Sequence, residues 1–366
     1  MLERFHVSEE EAIRVPEPKM RIATETIFRK MGLSNADAEL SADVLMYADT
    51  NGVDTHGVSN MLRNYVKGYQ DGSINPRPNM KIVRETISTT SFDGDRGNGL
   101  HTAPLAMKAA IAKAKQTGVG VSTLMNSGHL GAAGYHAVMA LEHDMIGVCF
   151  TGGGGFAMLP TWGAEPRFGT NPIAWAAPAR RQPYFIFDAA TTQVAANKIR
   201  ILQRMNRNIY PGWLAGTDGV PIMDDSPVPE VDIRGQNRPW YMLPFGGTRE
   251  NGSHKGYGIA CIVDIMCCTL TGIGPGFISN QSGHFFMAFN IAAFTDLDKF
   301  KDDMDAFLGG LAATKPAPGH DRVYYPGLPE AEERKDRLSR GIPFHPEVID
   351  WFQSISAELE LNLDLP

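Results

Sequence analysis

Two histidines in this chain of 366 residues stand where their neighbours point to chemistry. In the run Asn126-Ser127-Gly128-His129-Leu130-Gly131-Ala132-Ala133-Gly134-Tyr135, small residues on both sides of His129 leave the main chain uncovered. The run follows Val119–Met125, which is apolar and β-branched like a buried strand, and a helical pattern starts near Ala132. Free N–H groups at a helix start favour negative groups, so a phosphate or carboxylate fits beside the ring. A strand-to-helix turn needs glycine in any case, and a lone histidine near such a turn is often a satisfied core group. The second setting is Asp54-Thr55-His56-Gly57-Val58, just before a helical pattern that carries Arg63 and Tyr65. A histidine there can pass a proton to a carbonyl oxygen near neutral pH while a cation holds an acid substrate still. An ordinary helix start, capped by Thr55 or Asp54, explains the same residues.

Four further stretches carry weaker versions of the same chemistry. Gly152-Gly153-Gly154-Gly155-Phe156-Ala157 follows the apparent strand Ile146–Phe150 and formally satisfies the dinucleotide pattern G-x-G-x-x-[GA]. That fingerprint needs a helix at once, and Leu159-Pro160-Thr161-Trp162-Gly163 does not allow one, so an ordinary Rossmann site is rejected. His129, His136 and His143 recur every seventh residue, but two helical turns between neighbours are too many for one ion, and no metal is expected. Phe187-Asp188-Ala189-Ala190-Thr191-Thr192 ends a strand and begins a helix. Its N–H groups suit a phosphate while Asp188 orients an imidazole, or Asp and Thr simply cap the helix. His254-Lys255-Gly256-Tyr257-Gly258 puts a cation and two glycines ahead of a buried helix. No G-x-S-x-G elbow is present, which leaves serine hydrolase chemistry without its strongest local sign.

The elements that must position these groups alternate in type. Ser8 with Glu11 makes a capping box and predicts an early helix, and Ser34 precedes the apolar positions Ala38, Leu40, Ala42, Leu45 and Met46. A helix over Val58–Tyr69 stops at Asn75-Pro76-Arg77-Pro78, the first boundary. Beyond it, extended runs at Met80–Val83, Ile87–Phe92, Val119–Met125, Ile146–Phe150, Ile173–Ala177, Tyr184–Phe187 and Phe285–Phe289 alternate with helical runs at Leu100–Lys115, Gln193–Met205 and Phe300–Leu311. This predicts mixed α/β layers. Tyr257–Phe277 reads as a buried helix ending in a glycine-proline loop rather than a membrane span, because Asp264 interrupts it. Trp213–Gly252, with Asp224-Asp225-Ser226-Pro227-Val228-Pro229, has no clear period and reads as a long loop over a site. After Pro326 the charges from Glu330 to Arg337 predict a solvated helix and Pro346–Leu359 a terminal one, both placed to pack on the N-terminal helices.

At 43% hydrophobic residues, the chain can bury a core without cross-links. Four cysteines with no C-x-x-C pair suit a reducing cytoplasm, and acidic residues near the start (Glu3, Glu9, Glu10, Glu11) leave no apolar core for a secretion signal. The net charge of −7, with no basic block, speaks against a nucleic-acid partner.

Six motifs then fall in a telling order: D-T-H-G-V, I-N-P-R-P, N-S-G-H-L-G-A-A-G-Y, F-G-T-N-P-I-A, F-D-A-A-T and H-K-G-Y-G. The series closely resembles the malate/L-lactate dehydrogenase family of the second, non-Rossmann type, whose members include ureidoglycolate and sulfolactate dehydrogenases, 2,3-diketogulonate reductase and cyclic-imine reductases. The resemblance spans Ala36 to Pro343. It implies an α/β (α+β) fold: a non-Rossmann, mixed-sheet domain over 79–325 that binds NAD or NADP, and a helical domain over 1–78 completed by 326–366. It also implies a cytoplasmic homodimer that moves a hydride between nicotinamide and a 2-hydroxy or 2-oxo acid, with an imine or keto-sugar acid as the alternative substrate. A metal-dependent hydrolase or lyase is a remoter alternative.

By resemblance His56 is the proton donor or acceptor, supported by Thr55 and Asp188, while His129 lies against nicotinamide and substrate and in some members takes the acid/base role itself. Ser127, Gly131, Thr170, Asn171, Pro172, Asp188, Ala189, Ala190, Lys255 and Gly256 match cofactor contacts. Two departures stand out. The family has Arg four residues beyond its first histidine where this chain has Asn60, which passes the substrate carboxylate to Arg63 or changes the substrate. The end motif Pro-Gly-Glu reads Pro326-Gly327-Leu328-Pro329-Glu330.

Overall fold

The computed structural model describes residues 3–228 and 239–366; Pro229 and the rest of 229–238, within the long segment noted above, lie outside the described residues. The chain opens with strand β1 (Ile13–Val15) and helices α1 (Glu17–Lys30), α2 (Asn35–Thr50) and α3 (Val58–Gln70). Next come β2 (Lys81–Glu85), β3 (Thr89–Gly97), α4 (Gly99–Thr117), β4 (Val119–Ser127), α5 (Ala133–Val138), β5 (Met145–Gly153), β6 (Ile173–Ala177) and β7 (Phe185–Ala189). Helix α6 (Ala196–Arg204), the short strands β8 (Leu214–Ala215) and β9 (Tyr241–Met242), α7 (Ser253–Asp264), α8 (Gly276–Ser279), β10 (Ser282–Asn290) and α9 (Leu297–Ala312) follow. The chain closes with α10 (Leu328–Arg340), β11 (Ile342–Phe344) and α11 (Pro346–Glu358).

Seven strands form one sheet in the order β2-β3-β4-β10-β5-β6-β7. Within it β3 and β4 run parallel, and the other neighbouring pairs are antiparallel. A doubly wound Rossmann sheet is mostly parallel, so the mixed α/β, non-Rossmann expectation is met. The glycine run after β5 leads into no helix, as the following prolines require.

Helices α4 and α5 lie on one face of the sheet over a core that includes Ala106, Ala110, Ala137, Cys149 and Phe286. Their approach is close because the strands beneath carry glycine: a Cβ on Gly120 would stand 2.0 Å from the Ala110 carbonyl oxygen, and one on Gly147 2.0 Å from that of Ala137. A second core draws on both chain ends, combining Ile27, Phe28, Leu45 and Leu62 with Phe344, Phe352 and Ile355. Burying a side chain of this size contributes about 1.5–3 kcal/mol, so the C-terminal elements are held firmly on α1–α3.

Ser34 caps α2 as expected, its Oγ accepting from the Asp37 N–H at 3.1 Å. The box at Ser8 forms too, with Glu11 N donating to Ser8 Oγ at 3.3 Å, but it closes a turn rather than a helix. The chain there is drawn into β1, which pairs antiparallel with β11 at the far end of the sequence, and the first long helix waits until Pro16 and Glu17. The helix expected over Tyr257–Phe277 is α7 continued by a π turn at Ile265–Thr269, and the glycines beyond it end it.

Candidate active site

His56 lies in the turn between α2 and α3, and three elements fix that turn. Asp49, wholly buried at the end of α2, accepts the Val58 N–H at Oδ2 (2.9 Å) and so caps α3 one turn from the histidine. Arg337 of α10, 1% exposed, donates to the Asp49 carbonyl at 2.8 Å and grips both carboxylate oxygens of Asp54. From α6, Asn197 donates to the Thr55 carbonyl at 2.6 Å, while Asn60 donates to that of Asp54 at 2.7 Å. His129 follows the end of β4, where Gly128 N donates to the Gly97 carbonyl at 2.8 Å.

These two turns bring the imidazoles face to face. The rings of His56 and His129 stack with centroids 5.7 Å apart and planes 13° from parallel. Thr55 Oγ1 lies 2.7 Å from His56 Nδ1. His129 Nδ1 accepts the Gly131 N–H at 3.1 Å and lies 2.8 Å from the Tyr65 hydroxyl, so in the neutral ring the proton sits on Nε2. Neither Nε2 has a hydrogen-bond partner among the described residues. Surrounding protein, and for His56 the neighbouring His129 as well, lowers the pKa of His56 to about 3 and that of His129 to about 4. Yet His129 is exposed and His56 half-exposed. The two rings are thus surrounded by protein and still reachable from solvent.

The other expected site residues divide. Asn60 reaches the His56 turn, but Arg63 is held by Glu347 of α11, at 2.5 Å to its carboxylate and 3.0 Å to its carbonyl, with its guanidinium 5.3 Å from the Trp351 ring centre. Asp188 bonds to neither imidazole among the described residues; its Oδ2 accepts the Gly134 N–H at 2.6 Å, at the start of α5. Burial and the Glu330 charge raise its pKa to about 6, although the residue keeps an open face at the end of β7. Ser127 is buried with its hydroxyl on Thr102, 2.8 Å away, and so offers main chain rather than side chain. Asn171, also buried, donates to the Ala260 carbonyl at 3.2 Å, while the carbonyls of Thr170 and Pro172 accept from Thr191 and Thr151. Ala189 ends β7 opposite Ile173, and Ala190 lies just beyond the strand. Lys255 is exposed in the first turn of α7, and Gly256 packs against Phe245, whose carbonyl oxygen would lie 2.4 Å from an added Cβ. Among the described residues, no group of three His, Cys, Asp or Glu is arranged to hold a metal ion.

The family model for malate/L-lactate dehydrogenase matches residues 15–353. The chain belongs to the malate/L-lactate dehydrogenase family. Over 364 residues it is 36% identical to a malate dehydrogenase of Pyrococcus abyssi, covering 97% of each chain. It is 33% identical over 362 residues to an L-sulfolactate dehydrogenase of Methanocaldococcus jannaschii, covering 95% of this chain and 98% of that one. The crystal structure of a malate dehydrogenase from Entamoeba histolytica superposes with a TM-score of 0.90 at 31% identity, over 97% of this chain and all of the other. This member is therefore an oxidoreductase acting on hydroxy acids.

Of two further residues at the site of this dehydrogenase, sequence reading assigns Tyr65 a different role and leaves Arg204 unmarked. Tyr65 stood out beside Arg63, but only as part of a carboxylate site, and its contact with His129 joins positions far apart in the chain. Arg204 of α6 donates to Asn60 Oδ1 at 3.4 Å and pairs with the same Glu347 at 2.5 Å. Nothing local marks it, since an arginine in the last turn of a helix is ordinary.

Proposed function

We propose that this dehydrogenase oxidises a 2-hydroxy acid bearing a second acidic group, of the malate or sulfolactate kind, and reduces the corresponding 2-oxo acid in reverse. The observation that carries this reading is the stacked pair His56 and His129, whose Nε2 atoms have no hydrogen-bond partner among the described residues. A nicotinamide cofactor, NAD or NADP, would supply the hydride acceptor or donor. The residues fit such a group. His129 is exposed, and Gly128 beside it is partly exposed and carries no side chain to cover its main chain. Lys255 puts a cation at the first turn of α7. Lys255, Gly256, Thr170, Asn171, Pro172, Ala189 and Ala190 would hold it.

His56 takes the hydroxyl proton at Nε2 during oxidation. The Thr55 hydroxyl, 2.7 Å from Nδ1, accepts the Nδ1 proton and keeps Nε2 free as the base. Asp188 acts by fixing the start of α5 next to the His129 turn, rather than by touching an imidazole. Two guanidinium groups, Arg63 and Arg204, share the single carboxylate of Glu347 beside Asn60. That surplus of positive charge supports a substrate with two negative groups, although the arginine usual at position 60 is missing.

Three broader parts of the reading concern the whole molecule. A homodimer is supported by the exposed Ile262, Ile265, Leu270 and Ile278, which follow one another from α7 to α8. The division into a helical domain (1–78 with 326–366) and a cofactor domain (79–325) is supported by the core shared between the chain ends. A cytoplasmic site is supported by the free cysteines Cys149, Cys261, Cys267 and Cys268; no helix among the described residues is long and apolar enough to cross a membrane.

The test is a panel of oxaloacetate, sulfopyruvate, pyruvate and cyclic imines with NADH and with NADPH, followed by the loss of nicotinamide absorbance. Turnover of the dianionic oxo acids above pyruvate is expected. Turnover of the imines alone would replace this substrate assignment.

A further inference from the structure

Two fully buried histidines have no part in the chemistry above, and both bond to the peptide groups next to His129. His284, on the central strand β10, points Nε2 at the Gly128 carbonyl (3.1 Å). His136, on α5, points Nε2 at the Leu130 carbonyl (2.9 Å). A carbonyl oxygen only accepts, so each Nε2 carries the proton. His284 Nδ1 then accepts from the Thr151 hydroxyl at 2.7 Å. His136 Nδ1 has no hydrogen-bond partner among the described residues, though the ring is wholly buried. Phe286 lies between the two rings, 5.9 Å from His136 and 6.4 Å from His284. An aromatic hydrocarbon at position 136 would fill the same space without an orphaned nitrogen, so the contact that distinguishes histidine there is the one to Leu130.

We propose that His136 and His284 are positioning residues: their N–H groups clamp the carbonyls on either side of His129 and fix its ring against His56. The peptide groups Gly128 and Leu130 flank the histidine directly, and with the Gly131 N–H on Nδ1 three hydrogen bonds hold the turn. Both imidazoles stay neutral, since burial lowers His136 to about 4 and His284 to about 3, and a neutral ring with its proton on Nε2 is the form the clamp needs. The role in catalysis rests on the function proposed above, but the clamp itself does not.

Four variants separate the clamp from mere packing. His136→Phe and His284→Leu remove the N–H and keep most of the volume; His136→Gln and His284→Gln keep an amide N–H near the position of Nε2. Hydrogen exchange by mass spectrometry is read on the peptide 127–135, and steady-state kinetics on the substrate that the panel identifies. The donorless variants are expected to speed exchange in that peptide alone. They should lower kcat about ten- to hundredfold, as small misplacements of a reacting group do, with KM for the hydroxy acid little changed and the Gln variants restoring most of the loss. Unchanged exchange and kcat in a folded donorless variant would overturn the proposal, as would Gln variants no better than Phe and Leu. If His284→Leu does not fold, His136→Phe carries the comparison with its own Gln variant. Faster exchange in an enzyme that turns over no 2-hydroxy acid would leave the clamp standing and remove only the reaction assigned to it.

Discussion

At the scale of single residues, the depressed pKa of His56 has a kinetic consequence. In the free enzyme the ring is neutral down to about pH 3, so it is a ready but weak base at neutral pH. A bound dianionic acid favours the imidazolium and raises this pKa. The acid limb of kcat/KM for oxidation, which reports the free enzyme, is therefore expected below that of kcat, which reports the complex. An acid limb of kcat/KM at or above the ordinary histidine value would refute the assignment. His56→Ala should lower kcat by about 10²–10⁴ while fluorescence titration with NADH gives a nearly unchanged Kd; equal losses in both would make the ring a binding group instead. Both histidines were legible in the sequence, because small residues crowd His129 and a hydroxyl and a glycine flank His56. Their partners were less so. Asp188 was expected on an imidazole and is found on the Gly134 N–H, and the clamping His284 lies in a strand whose pattern is simply apolar. Contacts between distant strands leave no local trace.

At the scale of elements, the helix that follows His56 starts where Asp49 makes it start. Gly57 is required there by packing rather than by backbone angle: a Cβ would stand 1.8 Å from Asp49 Oδ1, inside any allowed contact. Gly57→Ala must push the first turn of α3 off its buried cap. A loss of about 1–3 kcal/mol is expected from the overpacking, measured by urea unfolding, together with a fall in kcat because His56 is the preceding residue. Wild-type stability in Gly57→Ala would mean that Asp49 does not set the position of α3. Most elements of this kind could be read directly from periodicity; α3, β6 and α11 fall within a residue or two of their expected bounds. The exception is instructive. Ser8 and Glu11 form their box, but β11, more than three hundred residues later, claims the next residues for a strand. Local propensity yields to a pairing that only the folded chain supplies.

At the scale of the whole molecule, the titratable groups whose pKa values are shifted by surrounding protein pull stability in opposite directions with pH. His56, His129, His136 and His284 are depressed from 6.5 to about 3, 4, 4 and 3. Below 6.5 the unfolded chain binds protons that the native state refuses, so their contribution is full above that pH and is lost as pH falls. The buried carboxyl of Asp49, raised from 3.8 to about 8, and the carboxyl of Asp188 at the open end of β7, raised to about 6, act in the reverse sense. The native state keeps protons that the unfolded chain has released, and stability falls as pH rises through that window. Between about pH 4 and 6 these histidines, joined by the buried His101 whose pKa burial also lowers, outnumber the two carboxyls, so acid destabilises on balance. From about pH 6.5 to 8 Asp49 alone is changing, and alkali destabilises. The melting temperature should thus pass through a maximum near neutral pH, measured by calorimetry at constant ionic strength. Asp49→Asn keeps an oxygen for the Val58 N–H and removes the ionisation, so the fall on the alkaline side should flatten while the acid side, where Asp49 had opposed the histidines, steepens. A melting temperature that climbs steadily to about pH 9, or an alkaline fall that persists in Asp49→Asn, would show that Asp49 is not the group responsible.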